Sequence, residues 1–102
     1  MKIGKTIKSI RTERGLKQKD LAAKLSMTAE FLSKIENNEK KPSWPTLSEI
    51  ADALDVTVPF ILLSSISADD IKAGEKQNFL KMKHGLEMLL NDIEATTRNT
   101  KQ

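Results

Sequence analysis

Between Gly15 and Ser43 the chain carries two short amphipathic stripes separated by a two-residue break, Ser26-Met27. That spacing leaves room for two brief helices joined by a tight turn. The first stripe sets Leu21, Ala22 and Leu25 at i, i+1 and i+4 on a helix expected from Gln18 to Leu25. Thr28, whose hydroxyl suits a helix N-cap, opens the second helix. Phe31, Leu32 and Ile35 there repeat the same apolar spacing. The opposite side of the second helix holds Ala29, Glu30, Ser33, Lys34 and Asn37. These are short or polar side chains of the kind that meet base edges in a DNA major groove.

The charge distribution points the same way. Residues 1–41 hold eleven Lys/Arg against five Asp/Glu, residues 42–63 hold three acids and no base, and residues 64–102 balance at six of each. Positive charge therefore collects around the two-helix unit, and a phosphate backbone rewards such clustering through counterion release. A solvated lysine-rich surface is the plainer explanation of the asymmetry taken alone.

Flanking elements complete an all-helical plan. A first helix is expected from Ile3 to Arg14, with Ile3, Ile7 and Ile10 as its inner stripe and Gly15 as its stop. Asn37-Asn38-Glu39-Lys40-Lys41 reads as a polar loop, in which Asn38 can take the left-handed backbone that ends a helix. A fourth helix begins near Pro45 and runs to Leu54, presenting Leu47, Ile50, Ala51 and Leu54 to the core. A short fifth helix covers Pro59 to Leu63.

Four landmarks in order, IxxIR (Ile7 to Arg11), RGLxQxxLA (Arg14 to Ala22), FLSKIE (Phe31 to Glu36) and PSxxTLxxIAxAL (Pro42 to Leu54), carry a family likeness. Over about residues 3 to 63 the chain resembles the Cro/cI-like (XRE) helix-turn-helix family. The resemblance implies a five-helix lambda-repressor-like bundle, binding to double-stranded DNA, and a homodimer on a near-palindromic operator. The expected architecture is all-α: a helix-turn-helix domain over residues 1–64, then a C-terminal amphipathic helix and polar tail over residues 65–102. Two departures from the family pattern stand out. Ser26 occupies the turn position usually held by glycine, and Asn37-Asn38 replaces the usual basic-Gly ending.

Roles follow residue by residue. Gln18 matches the family's phosphate-binding glutamine, its amide and the helix N-terminal amides donating to one phosphate. Lys17, Lys19, Asn37, Lys40, Lys41 and Ser43 are further phosphate candidates, with Thr46 a weaker one. Thr28, Ala29, Glu30, Ser33 and Lys34 are the base-facing set. Lys34 can donate to guanine, Glu30 can accept from cytosine N4, and Ala29 can touch a thymine methyl. Glu30 can instead pair with Lys34 at i+4. Phe31 can pack inward or lay its edge on a thymine methyl, and the apolar stripe favours packing. The resemblance makes Arg11 and Glu36 a structural ion pair. Trp44, the single tryptophan, either covers the core edge or donates its indole N–H to a phosphate, with packing the preferred reading.

Beyond residue 64 no family resemblance guides the reading. Ser67 to Asp70 fits a capping box opening a last helix, with a break plausible at Gly74. Phe79, Met82, Leu86, Leu89 and Ile93 then follow 3-4-3-4 spacing, and Leu80 and Leu90 broaden the stripe. Such a stripe folds back on the bundle or meets the same helix of a second subunit. Dimerisation through Phe79, Met82, Leu86, Leu89, Leu90 and Ile93 is the expectation. Thr96 to Gln102 reads as a polar tail.

Other function classes find little footing. Cysteine is absent, His84 is the single histidine, and Asp69 and Asp70 are adjacent and so diverge on a helix. No glycine-rich phosphate loop or nucleophile motif occurs. Neither a membrane span nor an export leader is evident. The expectation is a cytoplasmic transcriptional regulator, most simply a repressor, without enzymatic activity, cofactor or metal. The opposing reading is an antitoxin-like module whose C-terminal helix binds a protein partner and which autoregulates its operon.

Overall fold

The computed structural model describes the backbone of residues 1–100, and the side chains of residues 1–92 apart from Ala68. Six helices follow in order: α1 Ile3–Glu13, α2 Gln18–Lys24, α3 Ala29–Glu36, α4 Trp44–Leu54, α5 Val58–Ser65 and α6 Lys76–Thr100. Single 3-10 turns at Ala68–Asp70 and Ala73–Glu75 lie between α5 and α6.

One local device starts three of these helices. Thr28 Oγ1 accepts from Phe31 N–H at 3.0 Å, Ser43 Oγ from Thr46 N–H at 3.3 Å, and Thr57 Oγ1 from Phe60 N–H at 3.2 Å. Each hydroxyl satisfies an N–H that has no carbonyl partner within its helix. The caps at Ser43 and Thr57 correct two expected starts: α4 begins at Trp44 and α5 at Val58. Left-handed residues close helices or turns at Gly15 (φ 71°), Ser26 (φ 53°), Asn38 (φ 61°) and Asp55 (φ 62°).

The first five helices share one core. Ile7, Leu21, Leu32, Ile35, Ile50, Leu54 and Ile61 are its fully buried large side chains, drawn from α1 to α5. Each removes apolar surface from water worth about 1.5–3 kcal/mol. Leu32 and Ile35 anchor α3 from beneath and turn its other side outward. Gly4 sets how closely α1 approaches it: a Cβ there would collide with the Ile35 carbonyl oxygen, and with Asn38 Oδ1 and the Glu36 carbonyl.

The C-terminal segment departs from expectation in two places. Asp70 does close back on Ser67, accepting its backbone N–H at 2.8 Å, but the box holds only the turn Ala68–Asp70. That hydrogen bond, helped by the N-terminal ammonium 3.1 Å away, keeps the Asp70 carboxyl below its ordinary range. The long helix starts at Lys76, after the break expected at Gly74, which lies in a second turn where its backbone freedom disfavours helix. At the other end α6 continues to Thr100, so residues 96–100 extend the helix instead of forming a tail; no Gly or Pro after Gly85 stops it. The last two residues of the expected tail, 101–102, lie outside the described residues.

α6 lies against α5 through polar bonds at the end of that helix. Lys83 Nζ donates to the Ile66 carbonyl at 2.6 Å and the Ser64 carbonyl at 3.4 Å, and Ser64 Oγ donates to Glu87 Oε2 at 2.8 Å. An ammonium at a helix C-terminus meets the unpaired carbonyls there. Phe79, Lys83, Glu87 and Leu90 form one half-buried stripe at helical spacing. Met82, Leu86 and Leu89 stand beside it, exposed by 57%, 38% and 54%. The predicted seam is thus divided between two faces, and the side chain of Ile93 lies outside the described residues.

Candidate nucleic-acid interface

Glu36, on the last turn of α3, organises the polar side of the two-helix unit. Its Oε2 accepts from Arg11 Nε at 2.7 Å, and its Oε1 from Arg11 Nη2 at 3.2 Å and Gln18 Nε2 at 2.9 Å. Arg11 Nη1 also donates to the Leu16 carbonyl at 2.8 Å. The Glu36 side chain is 1% exposed and that of Arg11 9%. A buried carboxylate with one unpaired oxygen would cost several kcal/mol, and here both oxygens are satisfied. The network joins α1, the loop before α2, the first residue of α2 and the end of α3.

This geometry gathers the candidates. Gln18 spends one amide hydrogen on Glu36, leaving the other hydrogen and its carbonyl oxygen for a ligand. Lys17 and Lys19 flank it, exposed, and Asn37 follows Glu36 directly. Lys40 and Lys41 are exposed in the loop beyond, and Lys40 Nζ rests 5.2 Å from the centre of the Phe31 ring. Phe31 itself is half-buried against the core, the inward placement its spacing favours. Ser43 is exposed, but its hydroxyl is engaged in capping α4 and lies 2.9 Å from Thr46 Oγ1.

On the outward side of α3, Thr28, Ala29, Glu30, Lys34 and Asn37 are exposed and Ser33 is half-buried. Thr28 doubles as the helix cap. Ser33 Oγ accepts a long 3.4 Å contact from Asn37 Nδ2. The ion pairs among the described residues are Arg11–Glu36 and Met1–Asp70, so Glu30 and Lys34 do not pair on the helix surface. Both charged ends face solvent.

Two features of this surface depart from the sequence reading. Asn38 was expected to supply only a left-handed backbone, yet its Oδ1 also accepts from Gly4 N–H at 3.0 Å, tying α1 to the end of α3. The signal for Gly4 was its place among Ile3, Ile7 and Ile10, since a glycine beside an apolar helical stripe often marks a close approach. Trp44 overturns the packing expectation: it is 68% exposed at the first turn of α4. It is the first residue of α4, three before Leu47 on the same side, at the end of the helix that the buried Leu47–Ile50–Leu54 stripe does not reach.

The match to the helix-turn-helix family model covers residues 7–61, more than half the chain. The chain belongs to the helix-turn-helix family, of the Cro/cI-like (XRE) type. Among curated relatives of this helix-turn-helix protein, the immunity repressor protein of Bacillus phage phi105 is 40% identical over 62 residues, 61% of this chain and 43% of that protein. The ImmF control region 10 kDa protein of the same phage is 38% identical over 65 residues, 64% of this chain and 72% of its own length. The HTH-type transcriptional regulator DdrOP3 of Deinococcus deserti is 34% identical over 62 residues, 61% of this chain and 48% of that protein. The chain therefore spans about half the length of two of these three relatives. Its fold is similar to that of the clp gene regulator ClgR from Corynebacterium glutamicum, with a TM-score of 0.59 and 21% identity over 92% of this chain and 88% of that one.

Proposed function

We propose that the chain is a sequence-specific, double-stranded-DNA-binding transcriptional regulator that represses from a near-palindromic operator as a homodimer. The observation that carries this reading is the placement of α3. Its apolar side is locked by Leu32 and Ile35, its end is fixed by Glu36 to Arg11 and Gln18, and its outer side is left free. Ala29, Glu30, Ser33 and Lys34 read bases, with Thr28 at the helix start. Gln18, Lys17, Lys19, Asn37, Lys40, Lys41 and Ser43 hold the backbone on either side. The names of the phage and Deinococcus relatives, a repressor and a transcriptional regulator, support the assignment. Residues 1–64 form the DNA-binding unit and residues 65–102 the assembly segment.

Two copies would set their reading helices in successive major grooves about 34 Å apart. The exposed Met82, Leu86 and Leu89 supply the apolar surface for pairing. The same stripe also fits a different protein partner, as in an antitoxin-like module. Among the described residues no helix is long and apolar enough to cross a membrane.

The test is selection from a random duplex pool, followed by anisotropy titration and sedimentation of the full chain. Enrichment of a palindrome bound by a dimer supports the reading. Equal affinity for selected and random duplexes rules out sequence-specific regulation. A monomer on its selected site gives the C-terminal stripe to another protein.

A further inference from the structure

Trp44 is the exposed aromatic that neither the core nor the proposed reading face explains. Its indole N–H, a donor with no acceptor capacity, has no hydrogen-bond partner among the described residues. It lines a cavity of about 440 Å³ together with Lys2, Lys40, Lys41 and the inner residue Leu47, and no carboxylate lines that cavity. Two other cavities differ in this respect: Glu13, Asp69, Asp70 and Glu87 line one, and Glu49 and Asp52 the other. The acid-free cavity also adjoins the interface, since Lys40 belongs to both and Asn38 closes α3 at its wall. Lys2 is brought there by the close approach of α1 at Gly4.

An apolar surface beside a free N–H donor and ringed by ammonium groups complements a sugar–phosphate chain, whose deoxyribose faces alternate with anionic oxygens. We infer that Trp44, with Lys2 and Lys41, clamps the DNA backbone at the edge of the footprint. The indole N–H donates to a phosphate oxygen, the ring covers the adjoining deoxyribose, and the two ammonium groups neutralise the flanking phosphates. The inference rests on the DNA-binding reading above and extends it to a contact that is independent of sequence. A random duplex of about two helical turns is therefore a sufficient probe at low salt.

The chain reports on this contact itself, because Trp44 is its single tryptophan. The full chain is titrated with that duplex while indole emission and the anisotropy of end-labelled DNA are followed together. The expected result is quenching that saturates with the anisotropy. Trp44→Ala then binds about tenfold more weakly, the loss of one hydrogen bond to a charged acceptor. Lys41→Gln lowers the slope of log affinity against log salt by about 0.9. Thermal melting of Trp44→Ala, whose side chain is exposed, verifies that the variant folds.

Anisotropy that rises with unmoved emission, and with wild-type affinity for Trp44→Ala, overturns the clamp and leaves DNA binding standing. Unchanged DNA affinity with a shifted sedimentation coefficient for Trp44→Ala also overturns it, assigning the indole to a contact between copies. No anisotropy change with this or any selected duplex removes the DNA-binding reading, and the clamp with it.

Discussion

Four residues, Gly4, Gly85, Ser26 and Glu36, show how single positions set the stability of this chain. Gly4 and Gly85 both lie within helices, yet they should respond oppositely to alanine. At Gly85 an added Cβ meets nothing within 4 Å, so Gly85→Ala should raise stability by about 0.5–1 kcal/mol through helix propensity. At Gly4 the Cβ meets backbone carbonyls of α3, and Gly4→Ala should cost about 1–3 kcal/mol. Urea titration of the two variants checks the signs; a stabilised Gly4→Ala would mean that α1 and α3 are not in close register. Ser26 holds φ at 53° with a Cβ present. Ser26→Gly should therefore stabilise by up to about 1 kcal/mol, visible as a raised melting temperature. Glu36 is the most exacting side chain. Glu36→Ala strands the Arg11 guanidinium in the interior and should cost about 3–5 kcal/mol. It also frees the Gln18 amide, so DNA affinity should fall even under conditions where the variant remains folded.

At the scale of helices, α3 and α4 share one short recipe: a hydroxyl cap, an apolar stripe and a left-handed stop. α3 is only eight residues long and could not persist alone. It survives because Leu32 and Ile35 are buried and Glu36 is bonded to two other elements. α6 is the opposite case, long and only partly used. Its Phe79–Lys83–Glu87–Leu90 stripe lies half-buried, while Met82, Leu86 and Leu89 offer a second face to solvent. Charges on that second face should leave the monomer fold alone and oppose any association that buries it. A Met82→Glu/Leu89→Glu double variant is expected to sediment as a monomer with an unchanged circular dichroism spectrum. A dimer of unchanged dissociation constant would move the subunit contact elsewhere.

Over the whole molecule, charge asymmetry governs how binding responds to ionic strength. The surplus of cations in residues 1–41 includes Lys17, Lys19, Lys40 and Lys41, all exposed and outside the ion pairs of the described residues. Replacing Lys17 and Lys19 together by Gln should reduce the salt slope of duplex binding by about two per subunit, with similar losses for selected and random DNA. Lys34→Gln should instead weaken the selected site by about 1–3 kcal/mol and random duplex far less. Competition titrations at several salt concentrations separate the two. Equal losses on both duplexes for Lys34→Gln would remove it from the base-reading set.

Local chemistry wrote much of this into the sequence. Helical periodicity, the Thr28 cap and the Gly15 stop placed the first four helices to within a residue or so, because short-range hydrogen bonds and apolar spacing act over a single turn. The family landmarks paired Arg11 with Glu36 in advance, since that pairing depends on a bundle common to many chains. Three things waited for the tertiary structure. The bond from Asn38 to Gly4 needs α1 and α3 to meet across thirty-four residues. Trp44 is amphipathic and fits a core or a surface equally well, and only its place at the very end of α4, beyond the buried stripe, leaves it exposed. The heptad spacing of α6 describes one helix only; which side turns inward is settled by Lys83 and Glu87 bonding to the end of α5, and those partners lie outside the repeat.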